Sequence, residues 1–131
     1  MESFVKYDSE FGLAICVDCE CGVPRGFVLR HLRTRHKETW RAHKKELTEW
    51  VSGMTLVETD QLQYPERPRD PVCGIAIKDG WACGTDDCGV CGVSEKYMEN
   101  HCRNLHGKDT VTAKVWHRCR IQTLLGHPHI R

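Results

Sequence analysis

The clearest apolar periodicity lies in the middle of the chain, between Glu38 and Met54. Its apolar side chains recur at spacings of three, four and seven residues, which places them on one face of a helix: Trp40, Leu47, Trp50, Val51 and Met54. Thr39 is the expected N-cap of this helix. Gly53 and the proline-rich segment 64–71, which reads YPERPRDP, then interrupt regular structure. The pattern therefore predicts one amphipathic helix followed by a proline-rich linker.

Two stretches on either side of this segment resemble each other. Residues 21–36 read CGVPRGFVLRHLRTRH and residues 91–106 read CGVSEKYMENHCRNLH, so both begin with Cys-Gly-Val and contain two matching histidines. An internal repeat of this kind predicts two copies of one module. We therefore expect a first module at residues 13–37, a connector at 38–78, a second module at 79–107 and a tail at 108–131, after a short lead at 1–12.

Each module carries two cysteines followed by two histidines. The predicted ligand sets are Cys16, Cys19, His31 and His36 in the first module, and Cys83, Cys88, His101 and His106 in the second. Both fit the finger pattern C-x2–4-C, about twelve residues, H-x3–5-H. Zinc favours such a closed set of thiolates and imidazoles in structural sites. The spacing predicts two Zn²⁺ ions, one per module, with a small apolar core beside each: Val23 and Val28 in the first, Val93 and Met98 in the second.

A second ligand assignment is open in each module, because Cys21 and Cys91 align in the repeat. Cys16 could pair with Cys21 instead of Cys19, and Cys88 with Cys91 instead of Cys83. The second of these choices leaves only nine residues before His101, which is short for a strand, a turn and a helix entry. Spacing thus favours Cys19 and Cys83 as the ligands.

Composition supports metal binding over disulfide bonding. The chain of 131 residues contains nine cysteines and eight histidines, and an odd cysteine count among many histidines is atypical of a disulfide framework. No apolar run approaches the roughly 20 residues that span a bilayer. The charged N-terminus does not resemble a signal peptide. We expect an intracellular protein without a membrane partner, in a reducing compartment where thiols stay free for metal.

Charge is distributed unevenly between the modules, although the net charge is only +1. Basic residues follow the first module's helix with little acidic opposition, which suits contact with nucleic-acid phosphates: Arg25, Arg30, Arg33, Arg35 and Lys37. The base-reading positions of a finger helix fall instead on residues such as Phe27 and Tyr97, which read bases poorly. We therefore expect DNA contact without base-specific reading, in the nucleus. The alternative is a protein–protein interaction module that uses these two aromatic residues.

The spacings resemble the fungal family named for the orsellinic acid biosynthesis cluster protein D, whose members carry degenerate C2H2 fingers. The resemblance rests on Cys16-Val-Asp-Cys19, on His31 to His36, and on Gly80-Trp-Ala-Cys83 with its later ligands. The segment 116–125, WHRCRIQTLL, is similar to the family's stretch after the second finger. The resemblance implies a fungal origin and zinc fingers, and implies no mechanism.

These observations predict a small α+β fold stabilised by zinc. Two ββα fingers of the C2H2 type would be joined by a helix and a proline-rich linker. With four protein ligands per ion, neither zinc keeps a coordination position for water, and the chain lacks the common catalytic motifs. We therefore expect a non-enzymatic protein without a small-molecule substrate.

Overall fold

The computed structural model describes residues 1–63, 65, 69–86, 88–125 and 129–130, and it divides into two compact units. The first unit comprises Met1–Gln63 and Val72–Ile75, and the second comprises the rest of the described chain. Each unit combines a small antiparallel sheet with helices, so the fold is a small α+β fold. Within the described residues, no helix combines the length and apolar character needed to cross a membrane.

The first unit begins with a three-stranded antiparallel sheet. Its strands are β1 (Val5–Asp8), β2 (Leu13–Cys16) and β3 (Cys21–Val23), in the order β1-β2-β3. Two helices follow, α1 (Val28–Arg35) and α2 (Lys37–Ser52), and then a short 3₁₀ turn at Thr59–Gln61. All four residues of β2 are buried. This strand therefore lies at the centre of the sheet and brings Cys16, its last residue, into the interior.

The core of the first unit includes residues from segments that were predicted to lie outside the first module. Val5 comes from the lead and Leu47 from the connector, and both pack with Val23, Val28 and Leu32. Strand β1 pairs with β2 in register from Val5↔Cys16 to Asp8↔Leu13. The predicted face of the connector helix is partly correct, since Trp40, Val51 and Met54 pack on this core. A finger-sized core buries too little apolar area on its own, and these additions enlarge it.

The connector helix differs in detail from the prediction. It begins at Lys37 with His36 as its N-cap, in place of the expected Thr39, and it contains a kink at His43, where φ is −131° and ψ is 22°. Trp50, expected on the buried face, is more than one-third exposed. Its indole Nε1 donates a hydrogen bond of 2.8 Å to the carbonyl oxygen of Val5. An aromatic side chain with a polar N–H can pack on apolar residues and donate a hydrogen bond at the edge of a core.

The second unit is built on a four-stranded sheet with the order β5-β4-β6-β7. Its elements are β4 (Lys78–Ala82), β5 (Cys91–Gly92), α3 (Glu95–His106), α4 (Lys108–Ala113), β6 (His117–Thr123) and β7 (His129–Ile130). The long pairing joins β4 to β6, from Lys78↔Ile121 to Ala82↔His117. Gly80 is needed at this crowded position, because a Cβ there would lie 2.7 Å from the carbonyl oxygen of Gly92.

Residues 108–125, predicted as a tail, are part of the second unit. Trp116 is buried against Met98 and Cys102, and its Nε1 donates to Glu95 Oε1 at 3.1 Å. The guanidinium of Arg118 lies 5.5 Å from the ring centroid of Trp81, within the range of a cation–π contact. The segment from Trp116 to Thr123 thus closes the core of the second unit.

One predicted core residue is exposed. Val23, Val28 and Met98 are buried as expected, but Val93 is 48% exposed. Strand β5 ends at Gly92, so Val93 lies beyond the sheet and its side chain does not reach the interior. The buried positions there belong to Cys91, Ala82 and Ile121, which pack together.

Candidate metal centres

The first cluster of potential ligands joins the end of a strand, a turn and the end of a helix. Cys16 ends β2, Cys19 lies in the turn before β3, His31 lies on α1, and His36 follows α1 directly. Their four potential ligand atoms all lie within 4.8 Å of one another. This cluster, which we call site 1, therefore brings together all four residues that spacing predicted.

The distances within site 1 match the edges of a tetrahedron around one metal ion. His36 Nε2 lies 3.3 Å from Cys16 Sγ and 3.4 Å from Cys19 Sγ. His31 Nε2 lies 3.6 Å from Cys19 Sγ and 3.3 Å from His36 Nε2. Zinc bonds of about 2.0–2.3 Å in tetrahedral geometry require ligand–ligand edges of roughly 3.3–3.8 Å. These four of the six ligand–ligand distances therefore agree with one ion of this size, and all four ligand atoms lie within 4.8 Å of one another.

His36 reaches the cluster because α1 ends before it. Five residues on a regular helix turn by about 500°, which would leave the two histidines some 140° apart if both lay on one helix. His36 instead adopts φ −128° and ψ 57°, outside helical geometry, between α1 and α2. The ring centroids of His31 and His36 then lie 5.0 Å apart in an edge-on arrangement. The break between the two helices thus aims the second imidazole at the first.

The second cluster, site 2, has the same donor set. It comprises Cys83 after β4, Cys88, His101 within α3, and His106 at the end of α3, with all ligand atoms within 4.8 Å of one another. Cys88 Sγ lies 3.3 Å from His101 Nε2. In contrast, His106 Nε2 is buried and has no hydrogen-bond partner. A buried polar nitrogen without a partner is costly, and coordination of a metal ion would satisfy it.

Burial sets the protonation of several ligands. It lowers the pKa of His31, as do the nearby charges of His36 and Arg35, and burial together with His106 lowers the pKa of His101. Both imidazoles therefore favour the neutral form that binds metal. Burial also raises the pKa of the Cys16 thiol to about 11. A metal ion must displace a proton from Cys16 at neutral pH, and its charge would compensate the buried thiolate.

The two repeat-aligned cysteines lie outside both clusters. Cys21 begins β3 and is paired in register with Cys16, while Cys91 begins β5 opposite Ala82. Neither belongs to a group of metal-ligating side chains in the described part of the chain. The geometry thus favours Cys19 and Cys83 over these alternatives.

Two residues beside the clusters were not identified from the sequence. Asp18 Oδ2 lies 3.7 Å from His36 Nδ1, on the ring nitrogen opposite the one that faces site 1. Carboxylates orient metal-binding imidazoles when they accept a hydrogen bond from this nitrogen, and 3.7 Å exceeds that distance, so Asp18 contributes a nearby negative charge. Cys102 is buried with its Sγ 3.9 Å from Cys83 Sγ, and burial raises its pKa to about 11. The Asp18 position was visible in the motif Cys-Val-Asp-Cys, whereas nothing in the spacing singled out Cys102.

The basic residues predicted to contact nucleic acid differ in their surroundings. Arg25 forms an ion pair of 2.7 Å with Glu58. Arg30, Arg33 and Arg35 are exposed along α1, and Lys37 is exposed at the start of α2. Among the described residues, none of these last four has an ion-pair partner. The helix of site 1 thus presents uncompensated positive charge.

Comparison with known proteins identifies the family. The chain is 28% identical over 127 residues to orsellinic acid/F9775 biosynthesis cluster protein D of Emericella nidulans, which covers 97% of this chain. The chain spans about a quarter of that relative, at 25% of its length. No solved structure matches the chain. Residues 3–107, which include both clusters, match the family described as orsellinic acid/F9775 biosynthesis cluster protein D. The chain therefore belongs to the orsellinic acid/F9775 biosynthesis cluster protein D family.

Proposed function

We propose that this chain is a non-enzymatic zinc-binding region that holds two Zn²⁺ ions and contacts nucleic acid through α1. The observation that carries the metal assignment is the pair of Cys2His2 clusters, each with its ligand atoms within 4.8 Å. Two thiolates with two imidazoles suit tetrahedral Zn²⁺ better than Mg²⁺ or Ca²⁺, which prefer oxygen ligands. Four protein ligands leave no position for a reacting water, so the zinc would be structural.

The ligand sets also support a finger-like reading of each unit. In the first unit the ligands come from β2, the turn before β3, and the α1 region; in the second they come from the segment between β4 and β5 and from α3. A strand pair followed by a helix is the order of a ββα finger. We infer that each unit elaborates a finger with additional strands and helices, which supply apolar contacts beyond those of a minimal finger.

The nucleic-acid part of the proposal rests on the difference in charge between the two ligand-bearing helices. On α1, Arg30, Arg33 and Arg35 are exposed and have no ion-pair partner among the described residues. On α3, Lys96 and Arg103 both pair with Glu99, at 3.9 and 2.8 Å. An unpaired cationic side chain that contacts a phosphate releases counterions condensed on the nucleic acid. A cationic side chain in an ion pair must first lose its carboxylate partner. Phosphate contact is therefore expected at α1, with a nuclear location.

A salt-titrated gel shift of the zinc-loaded protein tests this assignment. We expect binding at low salt, and a loss of about tenfold or more when Arg30, Arg33 and Arg35 are all replaced by Gln. The slope of log K against log salt should become shallower by roughly 2–3, since each duplex phosphate contact contributes about 0.9. Zinc content is measured for both proteins to confirm that the ligand clusters survive.

A triple variant of the second unit provides the matched control. Replacing Lys96, Arg103 and Lys108 by Gln removes the same charge and should change the affinity by less than about twofold. Equal losses in the two triple variants would show that net charge alone drives binding. Absence of binding by the unmodified protein to both duplex and single strands at low salt would refute nucleic-acid contact.

An interaction with another protein is the second candidate function. Phe27 and Tyr97 are 51% and 54% exposed, so neither aromatic ring is committed to a core. Exposed aromatic residues are enriched at the centres of protein interfaces. Positively charged side chains lie beside the ring of Phe27. This combination favours nucleic acid over another protein as the partner.

A further inference from the structure

An open groove runs along one face of α1 beside site 1. Its volume is about 350 Å³, near the lower end of the roughly 300–1,000 Å³ typical of small-ligand pockets. The lining residues are Val23, Pro24, Phe27, Arg30, His31, Thr34 and Arg35. The groove is therefore large enough for a group such as a nucleobase, and it shares His31 with the metal site.

The lining combines an aromatic ring with two guanidinium groups. The ring of Phe27 is half exposed and lies where α1 begins, with Arg30 and Arg35 further along the helix. Among the residues that the structure describes, no acidic side chain lines the groove. The hydroxyl of Thr34 donates a hydrogen bond of 2.7 Å to the carbonyl oxygen of Arg30. The groove thus offers a flat apolar surface flanked by positive charge.

We propose that this groove binds single-stranded nucleic acid, with one unpaired base stacked on Phe27 and the adjacent phosphates on Arg30 and Arg35. This inference rests on the proposed nucleic-acid function and names the form of the ligand. Single strands expose the faces of their bases, which stack on aromatic side chains, while a duplex encloses those faces. Positive charge beside an aromatic platform is the arrangement that recognises alternating bases and phosphates.

In the described part of the second unit, the aromatic residue at the equivalent position, Tyr97, lacks this combination. Tyr97 is as exposed as Phe27, but its ring lies against Gly92, where a Cβ would come within 2.9 Å of it. The nearby cations Lys96 and Arg103 are paired with Glu99. Tyr97 therefore serves as a matched control, since it is an exposed aromatic residue whose neighbouring cations, Lys96 and Arg103, are paired.

Fluorescence anisotropy with the zinc-loaded protein tests the inference. The probes are a labelled oligothymidine single strand, a duplex of mixed sequence and an oligoglutamate peptide. We expect the single strand to bind most tightly, and Phe27→Ala to weaken it roughly 5- to 150-fold, the equivalent of about 1–3 kcal/mol of stacking. Duplex binding should change by less than about twofold. Phe27→Tyr should retain single-strand binding, and Tyr97→Ala should match the unmodified protein.

The outcomes separate this inference from the proposed function. Equal loss of single-strand and duplex binding in Phe27→Ala would overturn the stacking role, because the ring would then act through the helix. Duplex binding equal to or tighter than single-strand binding would overturn the inference and leave phosphate contact at α1 intact. Peptide binding as tight as the single strand, abolished by Phe27→Ala, would assign the groove to an acidic protein partner. No binding to either nucleic acid would refute both proposals.

Discussion

Removal of zinc with a strong chelator is expected to abolish cooperative folding of both units. Each ligand cluster joins a strand or turn to a helix, so its loss separates the sheet from the helix in both units. Structural zinc contributes on the order of 10–16 kcal/mol to folding in finger peptides, while a small domain has a net stability of about 5–15 kcal/mol. The larger cores seen here reduce this dependence and do not remove it, because small units bury limited apolar area.

Circular dichroism during thermal unfolding provides the measurement. The zinc-loaded protein should show a cooperative transition that disappears after chelation and returns when Zn²⁺ is added back. Mg²⁺ at the same concentration is the control, and it should restore nothing because it favours oxygen ligands. A chelated protein that still melts cooperatively within a few degrees of the zinc-loaded one would show that the apolar cores suffice.

Replacement of single cysteines is expected to distinguish ligands from their repeat-aligned neighbours. Cys19→Ser should remove one zinc ion and unfold the first unit, whereas Cys21→Ser should retain both ions. Cys19 is exposed, so its replacement disturbs no apolar packing and any loss is due to the metal. Its Sγ lies 3.4 and 3.6 Å from the two imidazoles of site 1, while Cys21 lies outside the cluster.

The second unit offers the same comparison between Cys83 and Cys91. Cys83→Ser should lose one ion, and Cys91→Ser should keep two ions with a modest loss of thermal stability, since Cys91 is buried beside Ala82 and Ile121. Metal content by atomic absorption and unfolding by circular dichroism are measured on the same samples. Loss of zinc from Cys21→Ser or Cys91→Ser, with retention in the paired variant, would reverse the ligand assignment.

The ligand clusters could be predicted from the sequence because metal ligation depends on few residues at restricted spacings. Cys16, Cys19, His31 and His36 are close in the chain, and local turns bring most of them together. The orientation of His36 could not be predicted in this way. It depends on where α1 stops and α2 starts, and helix ends are set by local packing and capping more than by periodicity.

The strands beyond the expected fingers could not be predicted because their partners are distant in sequence. Strand β6 pairs with β4 across α3 and α4, and β1 is a short strand at the edge of its sheet. The available signal was a set of buried apolar residues, Trp116, Ile121 and Leu124, beside the exposed Arg118 and Arg120. It remains weak in a seven-residue strand until the pairing with β4 is known.

The connector helix shows which features apolar periodicity can predict and which it cannot. Leu47 was correctly predicted to lie on the buried apolar face of this helix. The residues that cover this face were not predicted, because the pattern does not specify them. In the structure this face packs on the core of the first unit. The segment described as a connector is therefore largely part of the first unit, which no local pattern indicated.

Native mass spectrometry of the unmodified chain counts the metal ions that the two clusters bind. We expect two Zn²⁺ ions per chain, bound with the loss of thiol protons, and no further occupied site at stoichiometric zinc. A mass corresponding to one ion, or to none after purification in the presence of zinc, would contradict the assignment of two Cys2His2 centres.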